Sequence, residues 1–495
     1  MTAELTTEFP LLSLLLWLPV AGAVLCLAAY RSAAACRWLA LGTTSLVLIL
    51  SLWGWATVDG SGNWYFYEDF KWIAAFGIRY TLGMDGISLL LVVLTAFLQV
   101  VAVLISWQQE KAVGLFFALL LILETGIIGV FLALDLVLFY LFWELMLIPM
   151  LFLIGVWGYE RRVYAAIKFF LFTLAGSLCM LLAVISLYLL HGEQTGVYSF
   201  ALDSLMQTRL TTRQEMLFYL CFMAAFAVKI PLFPFHSWLP DAHTEAPVAG
   251  SVDLAGLLLK TGVYGMIRFA FPLFPTAAEK SLPVLAVLAL IGLFYAAWIA
   301  YLQTDIKRIV AYSSISHLGF VILGLAAWNQ TAWEGSLLLM INHGVTTGAL
   351  FITIALVHRR TGSRRLDDLG GLWKSQPNLS AFFLLFSLAS LGLPGLANFS
   401  GEILILLGTF STHAAWAVIA VGGVLFSAVY VLRMVQGTIW GPCCAPVDRR
   451  DLLGQEWLVL IPLAILVVWL GCYPQPLLDM LRDPVGLLLG QGGTP

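Results

Sequence analysis

The chain has 495 residues, of which 61% are hydrophobic and only 11% charged, with a formal net charge of −3 at pH 7; its mean hydropathy is +0.95. No water-soluble globular domain has this composition, so the sequence describes a polytopic membrane protein and excludes a soluble enzyme. The basic residues lie in short clusters between apolar runs, which leaves no nucleic-acid footprint.

The N-terminus, MTAELTTEF, is acidic and lacks the basic segment of a signal peptide, so the first apolar run is expected to stay as a membrane helix. Apolar runs separated by Gly, Pro or charged clusters predict an all-α fold with about fourteen spans. They are placed at 9–30, 36–57, 81–106, 113–133, 136–157, 163–190, 215–240, 247–272, 282–302, 307–327, 333–357, 378–409, 414–440 and 456–473. Residues 192–214, with Tyr198, Phe200, Leu202 and Leu205 among polar groups, read as an interfacial loop. No linker divides the chain, so 1–495 is expected to form a single integral membrane domain. With the N-terminus outside, the clusters Arg161–Arg162, Lys307–Arg308, Arg359–Arg360 and Arg364–Arg365 all fall on the inner side. The resulting bias of roughly two to one predicts that both termini are external.

The stretch from Phe218 to Phe269 carries the strongest local signal. Lys229 ends an apolar run and is followed by Pro231, Pro234 and Pro240, and a second run carries Lys260 near its middle. A lysine at the centre of a bilayer costs at least roughly 2.5 to 3.5 kcal/mol, so the interior must solvate charge. Pro231 and Pro234 have no N–H, which frees the carbonyls of Ala227 and Ile230 beside Lys229. Five spans later SLGLPGLANFSGE breaks the twelfth span at Pro394 and Gly395. An odd offset predicts two inverted five-helix repeats, approximately 113–272 and 282–440, with helices 7 and 12 broken, as in many transporters.

Six spans each contribute one ionisable group: Glu144, Lys229, Lys260, His317, His343 and Glu402. Such a series suits a proton relay, with water filling the gaps. The plainer alternatives are snorkelling for a lysine near a helix end and hydrogen-bonded packing for a histidine, the latter applying most to His317. Asp253, two turns before Lys260, either tunes that lysine or caps its helix. Asp135 reads as a cap, Glu124 has no assignable partner, and Lys168 serves either snorkelling or the proton path. His236 and His243 lack metal-ligand spacing. The seven cysteines show no CxxC or mixed Cys/His pattern, and Cys443 and Cys444 sit together in a polar loop. There is no GxGxxG opening a helix after a strand, no P-loop, no GxSxG and no HExxH, so no redox centre or metal is expected in this chain.

The segments KIPLFPFHSWLPDAHTEAPVAGSVDLAGLLLKTGVYG, DIKRIVAYSSISHLGF and SLGLPGLANFSGE resemble the signatures of the antiporter-like subunits of respiratory complex I and of the related multisubunit cation/proton antiporters, and the resemblance runs the full length. It implies a proton-translocating membrane subunit of an NADH:quinone oxidoreductase. Glu144 and Lys229 would form the ion pair of the intake half, Lys260 the central relay lysine, His317 and His343 connecting groups, and Glu402 the exit-side terminal residue. Glu402 stands where L- and N-type paralogues carry lysine. The implied cofactors, NADH, FMN, iron–sulfur clusters and quinone, would all be bound by other subunits. The implied partners are flanking L- and N-type subunits, the lateral helix of the L-type subunit and membrane lipids, with no nucleic acid. The implied location is a bacterial inner membrane, with both termini periplasmic. The alternatives are a subunit of a sodium/proton antiporter or membrane-bound hydrogenase, and a structural scaffold whose charges are relics.

Overall fold

The computed structural model describes residues 9–58, 64–442 and 450–490. The expectations for the N-terminal segment and for the Cys443–Cys444 pair lie outside the described residues. Helices α1 (Leu11–Ala28) and α2 (Ala33–Thr57) lead into an antiparallel hairpin of β1 (Phe66–Ile73) and β2 (Ile78–Met84). Helices α3 (Gly86–Ile105), α4 (Val113–Leu132), α5 (Leu136–Trp157) and α6 (Arg162–Thr195) follow. Next come α7 (Thr212–Lys229) and α8 (Trp238–Glu245), then α9 (Val248–Leu273), α10 (Pro275–Leu302), α11 (Ile306–Ala326) and α12 (Gln330–Thr361). The chain continues through α13 (Pro377–Ser390), α14 (Ala397–Thr412), α15 (Ala414–Ile439), α16 (Gly454–Cys472) and α17 (Gln475–Leu488).

Among the described residues, twelve helices are long and apolar enough to cross a membrane. The other two expected spans, 215–240 and 378–409, are each interrupted, the first between Lys229 and Trp238, the second between Ser390 and Ala397. Three expectations change. The third span begins at Gly86 rather than 81, because β2 occupies the preceding residues and Asp85 caps α3 by accepting from the Ser88 N–H. The ninth begins at Pro275 rather than 282, since Pro is tolerated in a first helical turn. Helix α17 was not anticipated at all. It is too short and polar for a hydropathy signal, yet it buries Leu477, Met480, Leu481 and Val485 and exposes Asp479 and Arg482. In the expected interfacial loop, α6 runs on to Thr195, and Phe200 and Leu202 then hydrogen-bond through their backbones to Leu136 and Leu134.

The interior is built from α9 and α12, whose apolar cores are wholly buried, with α11, α4 and α3 mostly buried, whereas α2, α6, α10, α15 and α16 expose one side. Apolar residues cover those exposed sides, including Leu171, Leu182, Val287 and Leu425. Apolar outer faces of this kind are what a lipid solvent requires of membrane helices.

Close approach of α12 and α14 depends on glycine. A Cβ on Gly401 would lie 2.7 Å from the Leu339 Cβ, and one on Gly335 would lie 2.8 Å from the Ile405 backbone nitrogen. Small residues allow this packing between membrane helices. Gly401→Val should therefore destabilise the fold by about 1 to 3 kcal/mol, read as a lower Tm of the assembled protein. Gly42→Val, with open space around it, should leave Tm unchanged.

Candidate functional site

Four of the six sequence-predicted groups form one contiguous row across the buried helices. Lys260 on α9 is completely buried, and its Nζ lies 2.8 Å from His343 Nδ1 on α12. It also donates to the carbonyl of Ala255. The rings of His343 and His317 are 5.6 Å apart. His317 Nδ1 then lies 3.3 Å from Glu402 Oε1, and its Nε2 is 3.4 Å from Ser390 Oγ at the end of α13. His317 is thus in the middle of α11, not near a helix end. A lysine, two imidazoles and a carboxylate in series can each take up or release a proton, so the row can pass one along by local steps.

Local structure explains the placement. Residues Leu254–Leu258 of α9 form a π-helical turn, which inserts about one extra residue and shifts the helix face by roughly 100°. Asp253 is thereby carried off the face of Lys260. It accepts from Gln99 Nε2 at 3.2 Å and makes no ion pair with Lys260, so the expected tuning of that lysine by direct contact is not present. Asn342 Nδ2 donates to Ser400 Oγ at 3.0 Å and to the Ala397 carbonyl, fixing the start of α14 against α12. In the second break Gly392 has φ +80°, and a Cβ there would run into Glu402 Oε2.

Glu144 and Lys229 do not join the row, and they do not touch each other. Lys229 is buried and within electrostatic reach of Glu144, but no ion pair forms and Nζ has no protein hydrogen-bond partner. It lies instead 5.3 Å from the Trp143 ring centre and 5.8 Å from that of Phe169, where the aromatic faces attract the cation. Of the two carbonyls expected to be freed, that of Ala227 is not, since the Leu232 N–H donates to it. Trp238 Nε1 donates to the neighbouring Val228 carbonyl at 2.9 Å. Glu144 is half-buried on α5.

The segment after the first break is held by charge. Asp241 accepts from Lys168 at 2.7 Å and from Arg308 at 3.2 Å, which joins α6, α8 and α11. At the carbonyl end of α8, Arg364 donates to Thr244 at 2.9 Å and Lys307 to Ala246 at 2.7 Å, cations at the end where the helix dipole favours them. Lys168, expected to snorkel or to serve the proton path, pairs with Asp241. Asp135 caps α5. His243, passed over because it lacks metal-ligand spacing, is fully buried, stacks on Phe351 at 4.6 Å and lies in electrostatic range of both Lys307 and Lys260. Its burial between two cations was the missing signal, and only the tertiary structure supplies it. Glu124 is buried within range of Asp253. Among the described residues no group of three or more His, Cys, Asp or Glu could hold a metal ion.

A helical membrane core threaded by a buried row of Lys, His and Glu, with two interrupted helices beside it, defines an antiporter-like transmembrane protein. Residues 133–427 match the family described as "NADH:quinone oxidoreductase/Mrp antiporter, TM", and the chain belongs to that family. NADH-quinone oxidoreductase subunit M of Pseudomonas aeruginosa is 47% identical over 482 residues, which cover 94% of this chain and 95% of that one. A chain of respiratory complex I from Thermus thermophilus has a TM-score of 0.88 at 32% identity, covering 98% of this chain and 100% of the other. A chain of the Mrp complex from Dietzia has a TM-score of 0.84 at 20% identity, covering 97% and 98% respectively, a likeness of fold alone.

Gly392→Ala tests the geometry at the end of the row. The left-handed backbone disfavours any side chain, by about 1 kcal/mol, and the added methyl displaces the Glu402 carboxylate. Proton transport in reconstituted vesicles should fall severalfold, with the amount of assembled protein little changed.

Proposed function

We propose that this chain is the M-type, proton-translocating membrane subunit of an NADH:quinone oxidoreductase and so part of a translocase, with the contiguous row from Lys260 to Glu402 as the observation that carries the reading. The 47% identity to a subunit M relative over 94% of this chain supports this over a sodium/proton antiporter, for which the likeness is one of fold. In this reading NADH, FMN, the iron–sulfur clusters and quinone bind other subunits, and L- and N-type subunits flank this chain. The protein resides in a bacterial inner membrane with both termini periplasmic. In this reading the chain contains two inverted repeats, about 113–272 and 282–440, each with one broken helix, the second of which supplies Glu402 to the row.

Mechanistically, Lys229 is a movable cation between two settings. Over Trp143 and Phe169 it has only aromatic faces to stabilise its charge; swung to Glu144 it would gain an ion pair. Closing that pair holds the proton on Lys229, and opening it favours release toward Lys260. From Lys260 the proton passes to His343, then His317, then Glu402.

Lys260→Met removes the proton site while keeping the volume. With the complex assembled in vesicles, proton pumping should fall at least tenfold; full pumping at normal quinone reductase activity would rule out the row as the path. Glu144→Gln, nearly isosteric, should assemble normally but lose most of both turnover and pumping. Reporter fusions in the 362–371 loop should report the cytoplasmic side, and a periplasmic signal there would overturn the orientation and the inverted repeats together.

A further inference from the structure

On one side of the molecule, α2, α3, α12 and α16 line a partly open cavity of about 500 Å³. Val93 and Phe97 of α3, Val345 of α12, Trp55 of α2 and Leu466 and Trp469 of α16 are among its lining residues. Every residue around it is apolar, and none is Gly, Ala, Ser or Thr. We propose that this cavity is a binding site for one acyl chain of a membrane phospholipid, held as a fixed component of the subunit.

Two observations favour a hydrocarbon chain over a partner's helix. The first is composition. Helices that pack together in membranes approach through small residues, and this surface offers only bulky ones, shaped for dispersion contact with a thin, flexible chain. The second is depth. The α3 residues that line it, Leu90 to Phe97, lie around the middle of that helix, while Trp55 and Trp469 stand within three residues of the ends of α2 and α16. Tryptophan favours the membrane interface, so the site extends from that level toward the bilayer centre. The span from Leu90 to Phe97 along α3 is about 10 Å, within the roughly 15 Å depth of one leaflet. Leu477 of the amphipathic α17 also lines it, at the interfacial end.

The site backs directly onto the proton row. Val345 is two residues from His343, and Leu94, which also lines the cavity, packs against Gly344. The bound chain would thus lie against the α3–α12 contact that flanks the Lys260–His343 pair.

The test uses the assembled complex in vesicles of phosphatidylethanolamine and phosphatidylglycerol, with a phosphatidylethanolamine that carries a photoreactive diazirine midway along one acyl chain. After chase with excess unlabelled lipid and illumination, label should persist on the α3 and α16 peptides containing Val93, Phe97 and Leu466. Label on α6, whose Leu171 and Leu182 are exposed, should be diluted by the chase. Val93→Trp with Leu466→Trp should lower the cavity label at least fivefold and leave the α6 label unchanged. If those substitutions block assembly, Leu466→Phe, which adds less volume, should lower the label to a smaller extent. Cavity label that is absent, or that is chased as fast as that on α6, would overturn the proposal on the unaltered chain alone. So would capture of another subunit by a photoreactive phenylalanine placed at position 93.

Discussion

The hydrogen bond between Lys260 and His343 is the contact on which the interior depends. It joins α9 and α12, the two helices whose apolar cores are wholly buried. Hydrocarbon cannot solvate an ammonium group, and an unpaired charge there costs more than most helix contacts return. The lysine is tolerated because an imidazole and the Ala255 carbonyl are fixed within reach. The carbonyl is available because of the π-helical turn, and the imidazole because Gly256 and Gly344 let α9 and α12 approach at backbone distance. Packing and proton chemistry are therefore set by the same residues.

The two interrupted helices play different parts around this contact. After the first break, α8 is anchored at both its acidic side chain and its carbonyl end by Lys168, Arg308, Lys307 and Arg364. These cations come from elements on both sides of the chain's midpoint, so the break lies within a rigid frame and any motion near it falls to the Lys229 side chain. At the second break the backbone itself makes room, with Gly392 and Gly395 in left-handed conformations and the Glu402 carboxylate lying against Gly392. One break leaves a charge without a hydrogen-bonding partner and the other seats a carboxylate against a histidine. That asymmetry suits a path that loads at one end and discharges at the other.

Aromatic residues take the place water would have in a soluble site. Trp143 and Phe169 face Lys229, Phe351 stacks on His243, and Tyr159 lies 5.2 Å from Lys307 Nζ. Ring faces attract cations weakly, enough to accommodate a charge without trapping it. A full ion pair, such as the buried Arg268–Asp85 pair that locks α9 to the start of α3, holds much more firmly.

Much of this was legible in the sequence because the bilayer is an exacting solvent. Apolar runs must become helices when their backbone has no other partner, so the span pattern, the two breaks and the six ionisable positions could be read from residue type alone. A residue as costly as Lys260 marks its own importance. What the sequence could not determine was who meets whom. Whether Asp253 serves Lys260 turned on a single π-helical turn, which changes the helix face without any signature in composition. The Ala227 carbonyl looked free beside Pro231, but a wider turn through Leu232 satisfied it. His243 carried no motif, and its place beside Lys260 and Lys307 arises from contacts between distant elements. The β-hairpin and α17 were too short and too polar to register against the hydropathy of their neighbours. Composition and solvent thus determined that this protein spans a membrane with charges inside it, whereas only the packing of α9, α11, α12 and α14 decided that four of those charges stand in one row.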